Sequence, residues 1–182
     1  MKIRNILMGG AVLVGLGTFA AATSAASAAT LQSPDSDTLV AGYQLIHFNF
    51  KECKAISAKP GNVGNGSFIV SPDIRQIAAK MCSESAEYLP KLEALAQSKN
   101  FTLPDGLPTY LTARYAALIR NQNGNLGQQY LQDQISSHED AVAVFQLEVA
   151  TGMDPDVKAG ANEVLPTMEA NLATLKKLAG SQ

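Results

Sequence analysis

Two histidines, His47 and His138, and two cysteines, Cys53 and Cys82, are the side chains of this 182-residue chain best suited to metal or redox chemistry. His138 falls on an apolar stripe of Leu131, Ile135, Val142, Phe145 and Val149, whose spacing of four, then three, puts one row on one face of a helix. It is the one polar member of that stripe, so its chemistry points inward. A ferritin-like metal pair needs carboxylates from all four helices, with Glu-x-x-His on two of them. Ile135 stands three residues before His138 and Gln44 three before His47, so neither segment can form that motif, and oxidation at a di-iron centre is not expected.

Two readings of His138 remain open. It is a core histidine hydrogen-bonded to Ser85, Asn171 or a backbone carbonyl, or it is the residual ligand of a single metal. Ser85 and Asn171 occupy inward helical phases and supply a hydroxyl and an amide, which suit a buried neutral network better than a divalent cation. The expectation is therefore no bound metal and no cofactor, with His138 the sole candidate ligand. His47 lies one residue off its own stripe and is expected at the surface. Glu139 and Asp140 should face solvent, since successive helix positions turn by about 100°. No G-x-S-x-G elbow occurs, and with only two histidines available as bases no catalytic residue is assigned.

The cysteines are read together with the start of the chain. Residues 1–28 have the three parts of a secretory signal: Lys2 and Arg4, an apolar run from Ile6 to about Ala22, and small residues ending in Ala26, Ser27 and Ala28. Cleavage between Ala28 and Ala29 is expected, and with it export, to the periplasm in the first instance and outside the cell in the second. No cysteine follows the apolar run, so lipid attachment is not indicated. No later segment resembles a membrane span, because charged or polar residues interrupt each one. In an oxidising compartment a Cys53–Cys82 disulfide is favoured over two buried thiols or half a metal site, because no C-x-x-C or Cys/His cluster accompanies either residue.

Removing the signal leaves about 154 residues, enough for one domain with a substantial core. Without Lys2 and Arg4 there remain 12 basic residues against 16 acidic ones, a net charge near −4. Nucleic-acid binding requires clustered positive charge to displace counterions from phosphates, and no such cluster is present.

These residues must be positioned by helices. A polar lead-in over 29–36 precedes a first helix, capped by Ser36 or Asp37 and running to about Ala58 with Leu39, Tyr43, Ile46, Phe50 and Cys53 inward. Gly61, Gly64 and Gly66 follow as a linker rather than a phosphate loop, which would need a preceding strand and another order of glycines. Ser71, Pro72 and Asp73 start a second helix to about Lys99, with Pro90 as a kink and Ile74, Ile77, Met81, Ser85, Tyr88, Leu92 and Leu95 on one face. A Pro-rich crossing over 100–108, a short helix over 109–120 and a break over 121–127 lead to a long helix over 128–150. After Gly152 and Pro155 the last helix reaches about Ala179, with Val157, Ala161, Val164, Met168, Leu172 and Leu175 inward. The pattern predicts an all-α, ferritin-like four-helix bundle over 37–180, with a long crossing connection and a short extra helix between its second and third long helices. Met81, Met153 and Met168 are expected to fill the core, and Tyr110 or Tyr130 could dock a partner. Asn65-Gly66-Ser67 and Asn100-Phe101-Thr102 fit the glycosylation triplet.

The segment from Tyr130 to His138, then Phe145, Gly152, Asp154, Pro155, Leu165, Pro166 and Met168, resembles the C-terminal half of the bacterial exported family called domain of unknown function 4142. Ile77 to Met81, Leu92 to Leu95, and Leu103 with Pro104 resemble that family's second helix and following loop. The resemblance covers most of the mature chain and implies a ferritin-like four-helix fold without an established activity. It also implies a histidine at position 85 and another at 171, where this chain has Ser85 and Asn171, so that only His138 is kept. The family's first-helix glutamate maps onto Glu52 by identity, whereas the core phase puts Phe50 there. The function expected is a non-enzymatic binding or structural module of the cell envelope, its partner unknown and possible among envelope proteins. The alternative is a metal-binding ferritin-like store or oxidoreductase using His138.

Overall fold

The computed structural model describes residues 31–59, 70–121 and 125–181. The expected signal segment with its Ala28–Ala29 junction, the expected glycine linker and the Asn65 triplet lie outside the described residues. The chain is all-helical among those residues: α1 (Asp35–Ser57), α2 (Pro72–Ser98), α3 (Thr109–Arg120), α4 (Leu126–Thr151) and α5 (Pro155–Ala179). Local sequence explains most boundaries. The Ser71 hydroxyl accepts from the Ile74 N–H, and Pro72 opens α2 where its missing N–H costs nothing. Asp154 caps α5 in the same way, accepting from the N–H groups of Asp156 and Val157 ahead of Pro155. Pro90 sits inside a continuous α2.

Directions follow from the tertiary bonds. Asp35, at the start of α1, accepts from the backbone N–H groups of Met153 and Asp154 in the α4–α5 turn, both at 2.9 Å. Lys99, just past α2, pairs with Asp154 at 2.8 Å and Asp156 at 2.6 Å. The start of α1, the end of α2, the end of α4 and the start of α5 therefore share one end of the bundle. Four helix pairs pack as neighbours, α1 with α2, α4 with α5, α1 with α4 and α2 with α5, and all four are antiparallel. Because α2 and α4 run parallel, the chain must return along the full length of the bundle between them. Helix α3 makes that return across α1 and α4, which is the ferritin-like topology.

A disulfide joins Cys53 to Cys82 with 5.5 Å between their Cα atoms and 29 residues between them in sequence. It fastens α1 to α2 at the opposite end. Closing a loop of that length removes denatured-state entropy worth roughly 3–4 kcal/mol on the chain-entropy model.

Several inward faces differ from the periodicity. On α1 the buried row is Thr38, Leu39, Gly42, Leu45, Ile46, Phe48, Asn49, Glu52, Cys53 and Ile56, with Tyr43 and Phe50 on its flanks. Glu52, and not Phe50, points inward. On α4 the flank positions are Ile135, Val142 and Val149, while Gln134, Ser137 and Glu148 are buried, as is His138. On α5 Asn171 replaces Leu172. Met153 is 65% exposed rather than part of the core, and Tyr130 is fully buried, which leaves Tyr110, 56% exposed, as the candidate docking tyrosine. Helix α1 also starts at Asp35, earlier than a cap at Ser36 or Asp37, because its first turn is held by the α4–α5 turn rather than by its own side chains.

Candidate functional site

The core divides into two apolar clusters. One gathers Leu39, Ile46, Phe48, Tyr88, Leu92, Ala141, Phe145, Val164 and Met168. The other gathers Cys53, Ile56, Ile74, Met81, Tyr130, Leu131 and Leu175. Between them each long helix contributes buried polar residues at the same level: Asn49 and Glu52 from α1, Ser85 from α2, Gln134, Ser137 and His138 from α4, and Asn171 from α5. A polar tier thus crosses the whole bundle at mid-height.

Within this tier, α4 bonds to α1. Gln134 donates its Nε2 to Glu52 Oε2 at 2.8 Å, and the Ser137 hydroxyl donates to Asn49 Oδ1. Burial, followed by the charge of Asp133, pushes the Glu52 carboxyl from its ordinary 4.5 up to about 8, so it is neutral at pH 7. The Tyr130 phenol is likewise raised, by burial and then by Glu52. Asp133 is held by Arg114 of α3, which reaches its carboxylate through Nε at 3.1 Å and its backbone carbonyl through Nη2 at 2.6 Å. Glu52 Oε1, Gln134 Oε1, Asn49 Nδ2 and the Tyr130 hydroxyl are enclosed without a hydrogen-bond partner.

His138 Nδ1 lies 2.8 Å from the carbonyl oxygen of Gln134, one turn earlier. A carbonyl only accepts, so Nδ1 carries the proton and the free lone pair sits on Nε2. Burial lowers the imidazole from 6.5 to about 4, which keeps it uncharged under physiological conditions. Ser85 and Asn171 are buried at the same level. Asn171 turns outward along the seam between α2 and α5, donating to Glu84 Oε2 and accepting from Lys80 Nζ, both at 2.8 Å. Glu139 and Asp140 are exposed. His47 is half-buried, with its Nδ1 enclosed and unpartnered rather than open to solvent.

At the capped end Glu148 is also buried, beside Asp35 and Thr38, and burial followed by Asp35 raises its carboxyl from 4.5 to about 7. A β-carbon on Gly152 would lie 2.7 Å from the Glu148 backbone carbonyl oxygen and collide with the buried Glu148 carboxyl, so the chain needs glycine where α4 ends. The inward carboxyls, Glu52 and Glu148, and the inward amides, Asn49 and Gln134, were missed by periodicity. The family resemblance pointed to Glu52, and spacing offered a signal for the others in the tier, Asn49 with Glu52 and Gln134 with Ser137, each pair three apart on one helix face; Glu148 had neither. Among the described residues no group of three or more His, Cys, Asp or Glu side chains is placed to hold a metal ion.

Residues 70–178 match the model of a family described as domain of unknown function, DUF4142. The chain belongs to the DUF4142 family. The matched segment spans α2 to α5 and so includes Ser85, His138 and Asn171, while Asn49 and Glu52, on α1, precede it. The crystal structure of a DUF305 fragment from Deinococcus radiodurans is similar to this DUF4142 chain, with a TM-score of 0.68 and 14% identical residues. That likeness covers 84% of this chain and 99% of the fragment, and it is one of fold alone. No curated protein matches the chain. None of the described helices is long and apolar enough to cross a membrane.

Between α1 and α4 the tier's chemistry is that of neutral hydrogen bonding, whereas Asn171 bonds to the Lys80–Glu84 ion pair on the α2–α5 seam. A carboxyl near 8 and an imidazole near 4 both carry no charge at pH 7. Ser137 spends its hydroxyl proton on Asn49 rather than on a base.

Proposed function

We propose that this DUF4142 chain is an exported helical module of the cell envelope that acts by binding or by structural support and not by catalysis. In this reading residues 1–28 are removed between Ala28 and Ala29, and the single domain over 37–180 works in the periplasm. The observation that carries it is the disposition of the tier. Glu52 is engaged by Gln134, Asn49 by Ser137 and His138 by a backbone carbonyl, so these groups serve α1 and α4 rather than a cleft. The Cys53–Cys82 bond supports the location, since disulfides persist in oxidising compartments.

Fractionation followed by intact mass with and without reductant tests the proposal. The expected species begins at Ala29, is found in the periplasmic fraction and gains the mass of two hydrogens on reduction. Elemental analysis of the same material is expected to give no stoichiometric iron, manganese or zinc. A stoichiometric metal that is lost in His138→Ala would replace this reading with that of a ferritin-like metal protein.

A further inference from the structure

The face where α3 lies across α1 carries a cavity of about 460 Å³, lined by His47, Phe50, Lys51, Lys54, Ala55 and Tyr115. That volume falls within the range of roughly 300–1,000 Å³ typical of small-molecule sites. Its polar side chains recur at 47, 51 and 54, one face of α1 spanning about 10 Å along the axis. Lys51 Nζ lies 5.3 Å from the centre of the Tyr115 ring and Lys54 Nζ 5.2 Å from that of Phe50. Among the described residues neither ammonium has a carboxylate within ion-pair distance. Lys80, Lys91, Lys99 and Lys176, on the α2 and α5 side of the bundle, each pair with at least one, while Lys158 and Lys177 of α5 do not line this cavity. A ring face satisfies a cation's charge in part but accepts none of its three N–H bonds in the way an anion does.

His47 also lines the cavity, through ring atoms other than Nδ1. Its Nδ1 is enclosed and lacks a partner, while its ring packs at 5.7 Å against Tyr43. Two ammonium groups without a carboxylate partner and two aromatic rings thus converge on one cavity, in a chain whose formal net charge is negative. Their shared complement is an anion on a flat apolar body. The charged head would lie between the two ammonium groups, and the body would pack on the rings.

We infer that the α1–α3 cavity binds a small aromatic anion through Lys51 and Lys54, with Tyr115 and Phe50 taking the ring. A carboxylate and a phosphate head offer the same chemistry to two ammonium groups, and the choice between them is left to the titration. This inference gives the envelope module proposed above a ligand class and rests on that reading.

The test uses the oxidised mature protein labelled with ¹⁵N, titrated with benzoate, phenyl phosphate, inorganic phosphate and phenol. Saturable shifts are expected in amides of α1 around 47–55 and of α3 around Tyr115 with the two aromatic anions. The tighter of those two identifies the head group. Inorganic phosphate, lacking the ring, and phenol, lacking the charge, should each bind at least about tenfold more weakly. Lys51→Ala with Lys54→Ala should weaken the aromatic anions by about tenfold or more while circular dichroism and Tm stay unchanged, because both lysines sit at the surface. Tyr115→Leu should weaken them and leave inorganic phosphate unaffected.

Absence of saturation by either aromatic anion, shifts that map elsewhere, or inorganic phosphate binding as tightly as phenyl phosphate would overturn the inference. Full affinity in the double lysine variant would do the same. Any of those outcomes removes the ligand and leaves the envelope module standing, since that reading depends on the fractionation and metal analysis.

Discussion

Replacing Glu52 with Gln should change how stability depends on pH more than it changes stability itself. In the folded chain the carboxyl holds its proton to about pH 8, whereas the unfolded chain releases it near the ordinary 4.5. Between those limits the unfolded state binds fewer protons, so stability falls as pH rises, by about 1.4 kcal/mol per unit. Taken over the full window the loss is roughly 4–5 kcal/mol, an upper figure because an ionised buried carboxylate relaxes toward water. His138 acts in the opposite sense. It is neutral when folded down to about 4 and protonated when unfolded below 6.5, so it adds stability as pH rises from 4 to 6.5 and nothing above that. Glu148, raised to about 7, follows the direction of Glu52 over a shorter window. Below pH 6.5 these contributions oppose one another, and above it only the losses remain. Urea unfolding of the oxidised protein at pH 5, 6.5 and 8 separates the two regimes. The wild type should lose roughly 2 kcal/mol between 6.5 and 8 through Glu52 alone. Glu52→Gln, which mimics the protonated form, should lose clearly less. At pH 8 the variant should be the more stable protein by roughly 2–4 kcal/mol, or about 5–15 °C in Tm for a domain of this size. Parallel curves for variant and wild type between 6.5 and 8 would refute the buried, protonated carboxyl.

Reducing the disulfide, or changing both Cys53 and Cys82 to Ser, should cost about 3–4 kcal/mol, read as a lower urea midpoint that reductant no longer shifts in the variant. Gly42→Ala should destabilise by about 1–3 kcal/mol, because its β-carbon would lie 2.8 Å from two atoms of the enclosed Phe145 ring; Phe145→Leu in the same background should recover part of the loss. Asp35→Ala frees the Met153 and Asp154 N–H groups, so hydrogen exchange at those two amides should accelerate ahead of the bundle core, with a total cost of about 2–4 kcal/mol.

The helices were legible because their punctuation is local. Ser71 with Pro72 and Asp154 with Pro155 write two helix starts in adjacent residues, and the structure begins α2 and α5 there. The short α3 was equally plain, bounded by Pro108 and the polar break after Arg120. The crossing topology followed from one fact, that the connection between the second and third long helices is too long for a simple turn. The inward faces were less legible. Periodicity ranks positions by how apolar they are, so on α1 it chose Phe50 over Glu52 and on α4 it passed over Gln134 and Ser137. A buried polar residue is inexpensive only when its partner lies opposite, and that partner is on another helix, 82 residues away for Glu52 with Gln134 and 88 for Asn49 with Ser137. No window along one helix contains that information.

The same remoteness suggests what the tier contributes to folding. Two apolar clusters of aliphatic and aromatic residues could tolerate α1 sliding or turning against α4, because apolar packing discriminates weakly between neighbouring registers. The Gln134–Glu52 and Ser137–Asn49 bonds exist in one register only, and a shift by one turn would leave buried amides and a carboxyl unmatched at about 1–3 kcal/mol each. The disulfide fixes α1 against α2 and Lys99 fixes the end of α2 against the start of α5, but no covalent bond ties α1 to α4. The polar contacts therefore act with the Asp35 bonds to the α4–α5 turn in specifying the α1–α4 interface, at the cost of a carboxyl that must stay protonated. Exchanging Glu52 and Gln134 together for leucine should accordingly keep or raise stability while broadening the amide spectrum of α1 and α4. A double variant with a single sharp set of resonances would show that the apolar clusters set the register by themselves.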